Sequence, residues 1–277
     1  MKKLMNIIRT RTHKLAGLFI ILFLLSLIMI MLSNTVLAQE STLFKISRTK
    51  TLNVGFSQYF PYAYIDETTK NRVGISVEII ELMAEALGVK TINWNEVTMA
   101  TFIAALQGNI IDLQPQVSIT PPRALVVEFS HIYERSPLTL AVNKKDADKF
   151  PNAESLNKPG VKISVAQGTS NDLYASRYFD KAEIVRVKTP GEALLALVSG
   201  RVDAHGSNLA QLENVIKSNP ELSIVKGYYA SATSGIAVRQ GDQIWLNWIN
   251  QFVDDLEESG MFDKIFAKYN VVRYTQR

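Results

Sequence analysis

The chain has 277 residues and no cysteine, which excludes a disulfide framework, a thiolate metal site and a cysteine nucleophile. Thirty basic residues against 26 acidic ones give a pI of about 9.1, a value that suggests a nucleic-acid binder. The excess is local: Lys2, Lys3, Arg9, Arg11 and Lys14 lie in residues 1–38 with no acid, and without those five the chain holds 25 basic and 26 acidic residues. The nucleic-acid reading therefore falls away.

The basic head leads into an apolar run over residues 15–32 and then into small residues, with Val36 and Ala38 at the −3 and −1 positions. This order predicts a secretory signal peptide over residues 1–38, cleaved after Ala38 to leave a soluble periplasmic protein starting at Gln39. The alternative is a retained anchor, because the run approaches the ~20 residues that span a bilayer.

Residues 39–50 are polar and predict a mobile leader. Residues 51–56 alternate as a strand does, and they run into 57–64, a loop dense in aromatic rings that either floor a pocket or pack under the loop. After Gly74, the residues Val77, Ile80, Met83, Ala84 and Leu87 share one face of a helix that Gly88 closes. A strand over 90–94, a helix over 101–107 stopped by Gly108, and a short strand over 110–113 follow.

The next run, from Asp112 to Arg123, reads as strand, turn and helix start. Thr120 is placed as an N-cap and Pro121 stands at the first helical position, where its missing N–H costs nothing. Ser118 offers a hydroxyl, the helix start offers backbone N–H groups, and Arg123 offers a fork that matches a carboxylate in two parallel bonds. Together they predict an anion hook. A second turn of the same kind, Gln167-Gly168-Thr169-Ser170-Asn171-Asp172, follows a strand over 161–165.

Strands over 126–129 and 138–142 lie between these turns. Beyond them come a strand over 183–187, a capping box at Thr189-Pro190-Gly191-Glu192 with its helix, a strand over 202–208, a helix over 209–218 and a strand over 222–225. The final helices carry Trp245, Trp248, Phe252 and Leu256 on one face, break at Gly260 and resume with Phe262, Ile265, Phe266 and Tyr269, a stripe read as core. Alternating strand and helix predict an α/β fold with a largely parallel sheet and a ligand crevice at the carboxyl ends of the strands.

These residues resemble the periplasmic solute-binding proteins of polar amino-acid ABC transporters, family 3. The likeness spans residues 52–269 and rests on Pro61-Tyr62, Gly74-Ile75-Ser76-Val77-Glu78, Ala105-Leu106-Gln107-Gly108, Ser118 to Arg123, Gln167-Gly168-Thr169, Gly200-Arg201-Val202-Asp203-Ala204 and Gly235-Ile236-Ala237-Val238. The resemblance implies a two-lobed type II periplasmic binding fold, each lobe a mixed or parallel sheet flanked by helices. Two hinge strands, near 138–142 and 229–237, would join lobe 1 (45–139 and 232–277) to lobe 2 (140–231). It also implies capture of a small anionic solute by a monomer without cofactor or metal, and delivery to an inner-membrane ABC permease.

By the same likeness, Arg123, Ser118 and the Thr169-Ser170 turn hold the ligand carboxylate, with Thr120 beside them. Tyr59 covers the side chain, with Tyr62 on the same loop, and Gln116 and Pro115 replace small residues and alter the pocket. Asn208 stands where the family places an aspartate that meets the ligand ammonium; an amide brings no negative charge there. His205, near the same strand end, either faces the ligand or is structural. The competing reading is a periplasmic dehydratase of the cyclohexadienyl or arogenate type on this scaffold. Its general acid would fall at Gln211, which has no proton to give, so the sequence predicts a binding protein rather than an enzyme.

Overall fold

A computed structural model describes residues 40–274, together with Phe23. The predicted signal peptide and its cleavage site otherwise lie outside the described residues. Among the described residues no helix is long and apolar enough to cross a membrane.

Residues 41–50 are not a loose leader. They form helix α1 (Thr42–Thr49), capped by the Ser41 hydroxyl, which accepts from Leu43 N, and Ile46 is fully buried. Asp242 accepts from Ser41 Oγ at 2.7 Å and from Thr42 N at 2.6 Å, while Lys45 pairs with Asp112. These anchors are distant in sequence, so local polarity gave a false signal.

Strand β1 (Thr51–Phe56) buries Leu52, Val54 and Phe56 at every second position, as a pleated strand must, and pairs in parallel with β4 (Thr91–Glu96). The short hairpin β2 (Tyr64–Ile65) and β3 (Arg72–Val73) leads into α2 (Ile75–Ala86), whose inner face is Val77, Ile80, Met83 and Ala84. Gly74 sets the entry of α2: its φ is 129°, and a Cβ there would lie 2.4 Å from the Tyr62 carbonyl oxygen. Helix α3 (Phe102–Gln107) follows.

The strand expected over 110–113 lies four residues later, as β5 (Gln114–Ser118). The apolar residues Ile111 and Leu113 are buried in the approach to it, and polar Gln114 and Gln116 occupy the strand itself because one of its faces borders a cavity. Helix α4 is one turn (Pro121–Ala124), followed by β6 (Glu128–Phe129).

Strand β7 (Glu134–Asn143) is longer than the apolar run 138–142 suggested. Its first half pairs antiparallel with β12 (Ala230–Val238), from Ser234↔Glu134 to Ala230↔Leu138. Its second half pairs antiparallel with β10 (Ala204–Asn208) and β11 (Leu222–Ile224). Strand β10 pairs in parallel with β8 (Lys162–Ala166), which pairs in parallel with β9 (Glu183–Val187), while the far half of β12 pairs with β5 and β6. Helices α5 (Ser170–Tyr178), α6 (Pro190–Val198) and α7 (Leu209–Ser218) connect these strands.

The apolar side chains gather accordingly into two main cores. One joins Leu52, Ile80 and Tyr133 to Ile236 and to Trp245 and Phe266 of the final helices α8 (Gln243–Glu258) and α9 (Met261–Lys268). The other holds Leu140, Val142, Ile163, Val165, Phe179 and Ala204. Strands β7 and β12 run from one core to the other, which makes the molecule a two-lobed α/β protein with two connecting strands.

Candidate functional site

A cavity of about 450 Å³ is lined from both sides: by the loop after β1, by β5 and α4, and by the turn between β8 and α5 and the end of β10. Ser118, Arg123, Thr169, Ser170, Asn208, Tyr59, Tyr62 and Gln116 all border it. Thr120 does not. It occupies the N-cap position of α4 in extended backbone but makes no side-chain capping bond, and it is buried away from the cavity.

Arg123 is 8% exposed and stands over the Phe102 ring at 5.5 Å. Its Nη1 donates to the Ser118 carbonyl at 2.6 Å and its Nη2 to the Gly168 carbonyl at 2.7 Å. No carboxylate pairs with it among the described residues. Burial pushes its pKa down to about 10, so the guanidinium remains charged at neutral pH while lacking a counter-ion. Three of its five N–H donors are left for another acceptor.

Two details of the expected anion hook change. Pro121 and Pro122 have no N–H, so the one-turn α4 cannot cradle an anion with its first amides. At the second turn, Gly168 N donates to Asp172 Oδ2 at 3.0 Å, and Gly168 presents its carbonyl, not its amide, to Arg123. The Thr169 hydroxyl donates to the Ala166 carbonyl at 2.7 Å and accepts from Asp172 N, so it serves α5 as a cap. Ser170 is the member of this turn whose side chain reaches across, its Oγ accepting from Ser118 Oγ at 3.0 Å.

The aromatic loop divides its work. Tyr59 and Tyr62 stack at 5.6 Å with their planes 10° apart. The Tyr59 hydroxyl lies 3.1 Å from Ser207 Oγ, and Ser207 donates onward to Gln211 Oε1, so the Tyr59 proton points to Ser207. Burial raises the Tyr59 pKa to about 12, keeping the phenol neutral. Tyr62 is turned away: its hydroxyl donates to Glu134 Oε1 at 2.6 Å, and Gln116 Nε2 donates to Glu134 Oε2. Gln116 Oε1 in turn accepts from the Tyr133 hydroxyl at 2.8 Å. The polar ends of Tyr62 and Gln116 thus serve a buried carboxyl whose pKa is raised by burial, and what they offer the cavity is mostly ring and aliphatic surface.

Asn208 caps α7: its Oδ1 accepts from Gln211 N at 2.8 Å. His205 does not line the cavity. It is buried, with Nδ1 3.3 Å from the Ser164 carbonyl and Nε2 unpartnered, and burial lowers its pKa to about 4. Sequence reasoning missed Asn171 and Glu134. Asn171 borders the cavity and its Oδ1 accepts from the Tyr229 hydroxyl at 2.8 Å; its place in the second turn was the available signal. Nothing in the sequence marked Glu134. No group of three or more His, Asp or Glu could hold a metal among the described residues.

Residues 52–272 match the bacterial extracellular solute-binding proteins, family 3. The chain belongs to that family. Among relatives of family 3, the L-arginine-binding protein of Pseudomonas aeruginosa is 28% identical over 233 residues, covering 79% of this chain and 88% of that protein. The probable histidine-binding protein of Neisseria gonorrhoeae is 26% identical over 219 residues, covering 77% and 80%. Both carry names of binding proteins, not of enzymes.

Solved structures agree on the type II periplasmic binding fold. The ancestral amino acid-binding protein AncCDT-1, described as a precursor of cyclohexadienyl dehydratase, superposes with a TM-score of 0.77 at 32% identity, covering 83% of this chain and 99% of its own. A variant of ArgBP from T. maritima superposes with a TM-score of 0.75 at 32% identity, covering 82% and 98%.

Proposed function

We propose that this family 3 protein is the periplasmic substrate-binding component of an ABC transporter and captures a small carboxylate-bearing solute, an amino acid or a related organic acid, between its two lobes. The observation that carries the reading is Arg123, a desolvated cation at a cavity wall with carbonyl oxygens as its partners and no acid. A buried charge without a counter-ion is costly, and an incoming carboxylate removes that cost. We assign residues 45–139 and 232–277 to lobe 1 and 140–231 to lobe 2. The two apolar cores support this division, with Leu138 and Ala232 packing on the lobe 2 side of its boundary. We take the protein to act as a monomer, as the resemblance to family 3 implies. The signal-like residues 1–38 support a periplasmic location, where the closed form would be read by an inner-membrane permease.

Capture proceeds without chemistry on this reading. The Tyr59, Ser207 and Gln211 chain ends in an amide oxygen and offers no general acid. A thermal-shift series of small carboxylic acids against their primary amides tests the proposal. A ligand at 100 times its Kd adds ~2.7 kcal/mol, which raises the Tm by about 5–10 °C for a domain of this size. Acids should shift the Tm and their amides should not. Equal shifts from amides, or turnover of a prephenate-like acid by the purified protein, would replace this reading.

A further inference from the structure

The lining residues Asn171 and Asn208 are 6% and 5% exposed, and each has only one oxygen and one nitrogen on its side chain. Both oxygens are already committed inside the protein: Asn171 Oδ1 accepts from the Tyr229 hydroxyl and Asn208 Oδ1 accepts from Gln211 N, both at 2.8 Å. Gln211 N can only donate, so the orientation of the Asn208 amide is fixed; the Tyr229 hydroxyl donates to the Asn171 oxygen in this structure, which turns the Asn171 nitrogen the other way. Both amide nitrogens are without a partner among the described residues, and neither is sealed from solvent. With Arg123, both asparagine nitrogens thus bring donors to the cavity, beside the unpartnered hydroxyls of Ser76 and Ser136, which can donate or accept.

Negative charge is missing from the same wall. Glu96 is the one carboxylate among the lining residues; its side chain is 62% exposed and lies 3.6 Å from Arg72. Glu134 and Asp172 are not lining residues, and their oxygens accept from Tyr62 and Gln116 and from Gly168 and Arg186 respectively. Gln114 Oε1 has no partner, but it is sealed by protein atoms and packed so tightly on Gly55 that a Cβ there would lie 1.9 Å away. A desolvated ammonium placed here would meet amide N–H groups and neutral hydroxyls but no counter-charge.

Resting on the carboxylate reading above, we infer that the solute is an acid without an α-ammonium, whose second polar group is an oxygen acceptor held by Asn171 and Asn208, as in a 2-oxo acid. The test is calorimetric titration of the mature protein at neutral pH with matched pairs: glutamate with 2-oxoglutarate, phenylalanine with phenylpyruvate, leucine with its 2-oxo acid. In any pair that binds, the oxo acid should be tighter by at least about tenfold, the equivalent of one charge-related mismatch. Asn208→Asp retains an oxygen to cap α7 and should narrow or reverse that ratio; Asn171→Asp, which still accepts from Tyr229, should do the same. An amino acid that binds as tightly as its oxo partner overturns the inference. If that amino acid then fails to bind Arg123→Ala, the carboxylate reading survives alone. If no acid binds while primary amides do, both readings fall.

Discussion

Replacing Arg123 separates the cost of binding from the cost of folding. In the native protein its guanidinium holds the Ser118 and Gly168 carbonyls at 2.6 and 2.7 Å and lies over Phe102. Arg123→Ala removes two charge-assisted bonds, but it also removes a buried cation without a counter-ion, and the polar cavity lets water reach the two carbonyls. These terms oppose one another, so ligand-free stability should change by no more than ~1 kcal/mol, read as a shift of about 2–4 °C in Tm. The ligand carboxylate loses two charge-assisted bonds of ~1.5–3 kcal/mol each, with no compensation. The sum of ~3–6 kcal/mol corresponds to a Kd weaker by about 10²- to 10⁴-fold. Arg123→Lys should recover less than about tenfold of this, because one ammonium cannot present two parallel N–H groups to a planar acid. The assay is calorimetric titration, with thermal denaturation of each ligand-free variant as the folding control. A folded Arg123→Ala protein with unchanged affinity would refute the assignment of Arg123 as the carboxylate ligand.

Two further predictions concern the scaffold. His205 has a pKa lowered to about 4 by burial, against an ordinary value of 6.5; the unfolded chain therefore takes the proton first, and stability is lost as pH falls from about 6.5 to about 4. The whole loss is about 3 kcal/mol, and urea denaturation should show His205→Leu with a shallower decline over that window than the native protein. Gly74→Ala forces a Cβ to 2.4 Å from the Tyr62 carbonyl oxygen and 2.9 Å from Ala63 N, both main-chain atoms, at a φ of 129°. It should cost more than ~3 kcal/mol, and an alanine variant that melts within a few degrees of the native protein would contradict this reading of the α2 entry.

Elements with a strong period were legible because burial alone decides them: the alternation of β1, the apolar face of α2 and the aromatic stripe of α8 and α9 each have one arrangement that removes them from water. Arg123 and Ser118 were legible for a different reason, since a forked cation beside a hydroxyl at a strand-to-helix turn has a narrow chemistry. What escaped local reading was decided by partners far along the chain. Helix α1 depends on Asp242 and Asp112, and the first half of β7, broken in pattern by Ser136 and Pro137, is a strand because β12 lies beside it. At Gly168 the residue was found but not which of its backbone groups faces the site; that follows from Asp172 taking the amide. Asn208 is the instructive case. The sequence reading placed it at the ligand and missed that it caps the helix over 209–218, which commits its oxygen to Gln211 N.

The contacts that join the two sides of the cavity bear on how binding and closure are coupled. Arg123 to the Gly168 carbonyl, Ser118 to Ser170 and Tyr59 to Ser207 each link a residue before β7 to one after it, while β7 and β12 are the connecting strands. At ~0.5–1.5 kcal/mol for a neutral bond and ~1.5–3 for a charged one, the three are worth ~2.5–6 kcal/mol. That range overlaps the ~5.5 kcal/mol needed to move a two-state population from 1:99 to 99:1. A solute that bonds Arg123 and the asparagine amides at once adds to contacts the chain already makes, and only its bonds to both sides favour closure. On the proposed reading, Arg123 and Ser118 would act in binding and in closure together, and no substitution at either would separate the two. The Tyr59 to Ser207 bond is different: its proton path ends at Gln211, outside the proposed anion hook, so on the same reading it would contribute to closure independently of the carboxylate.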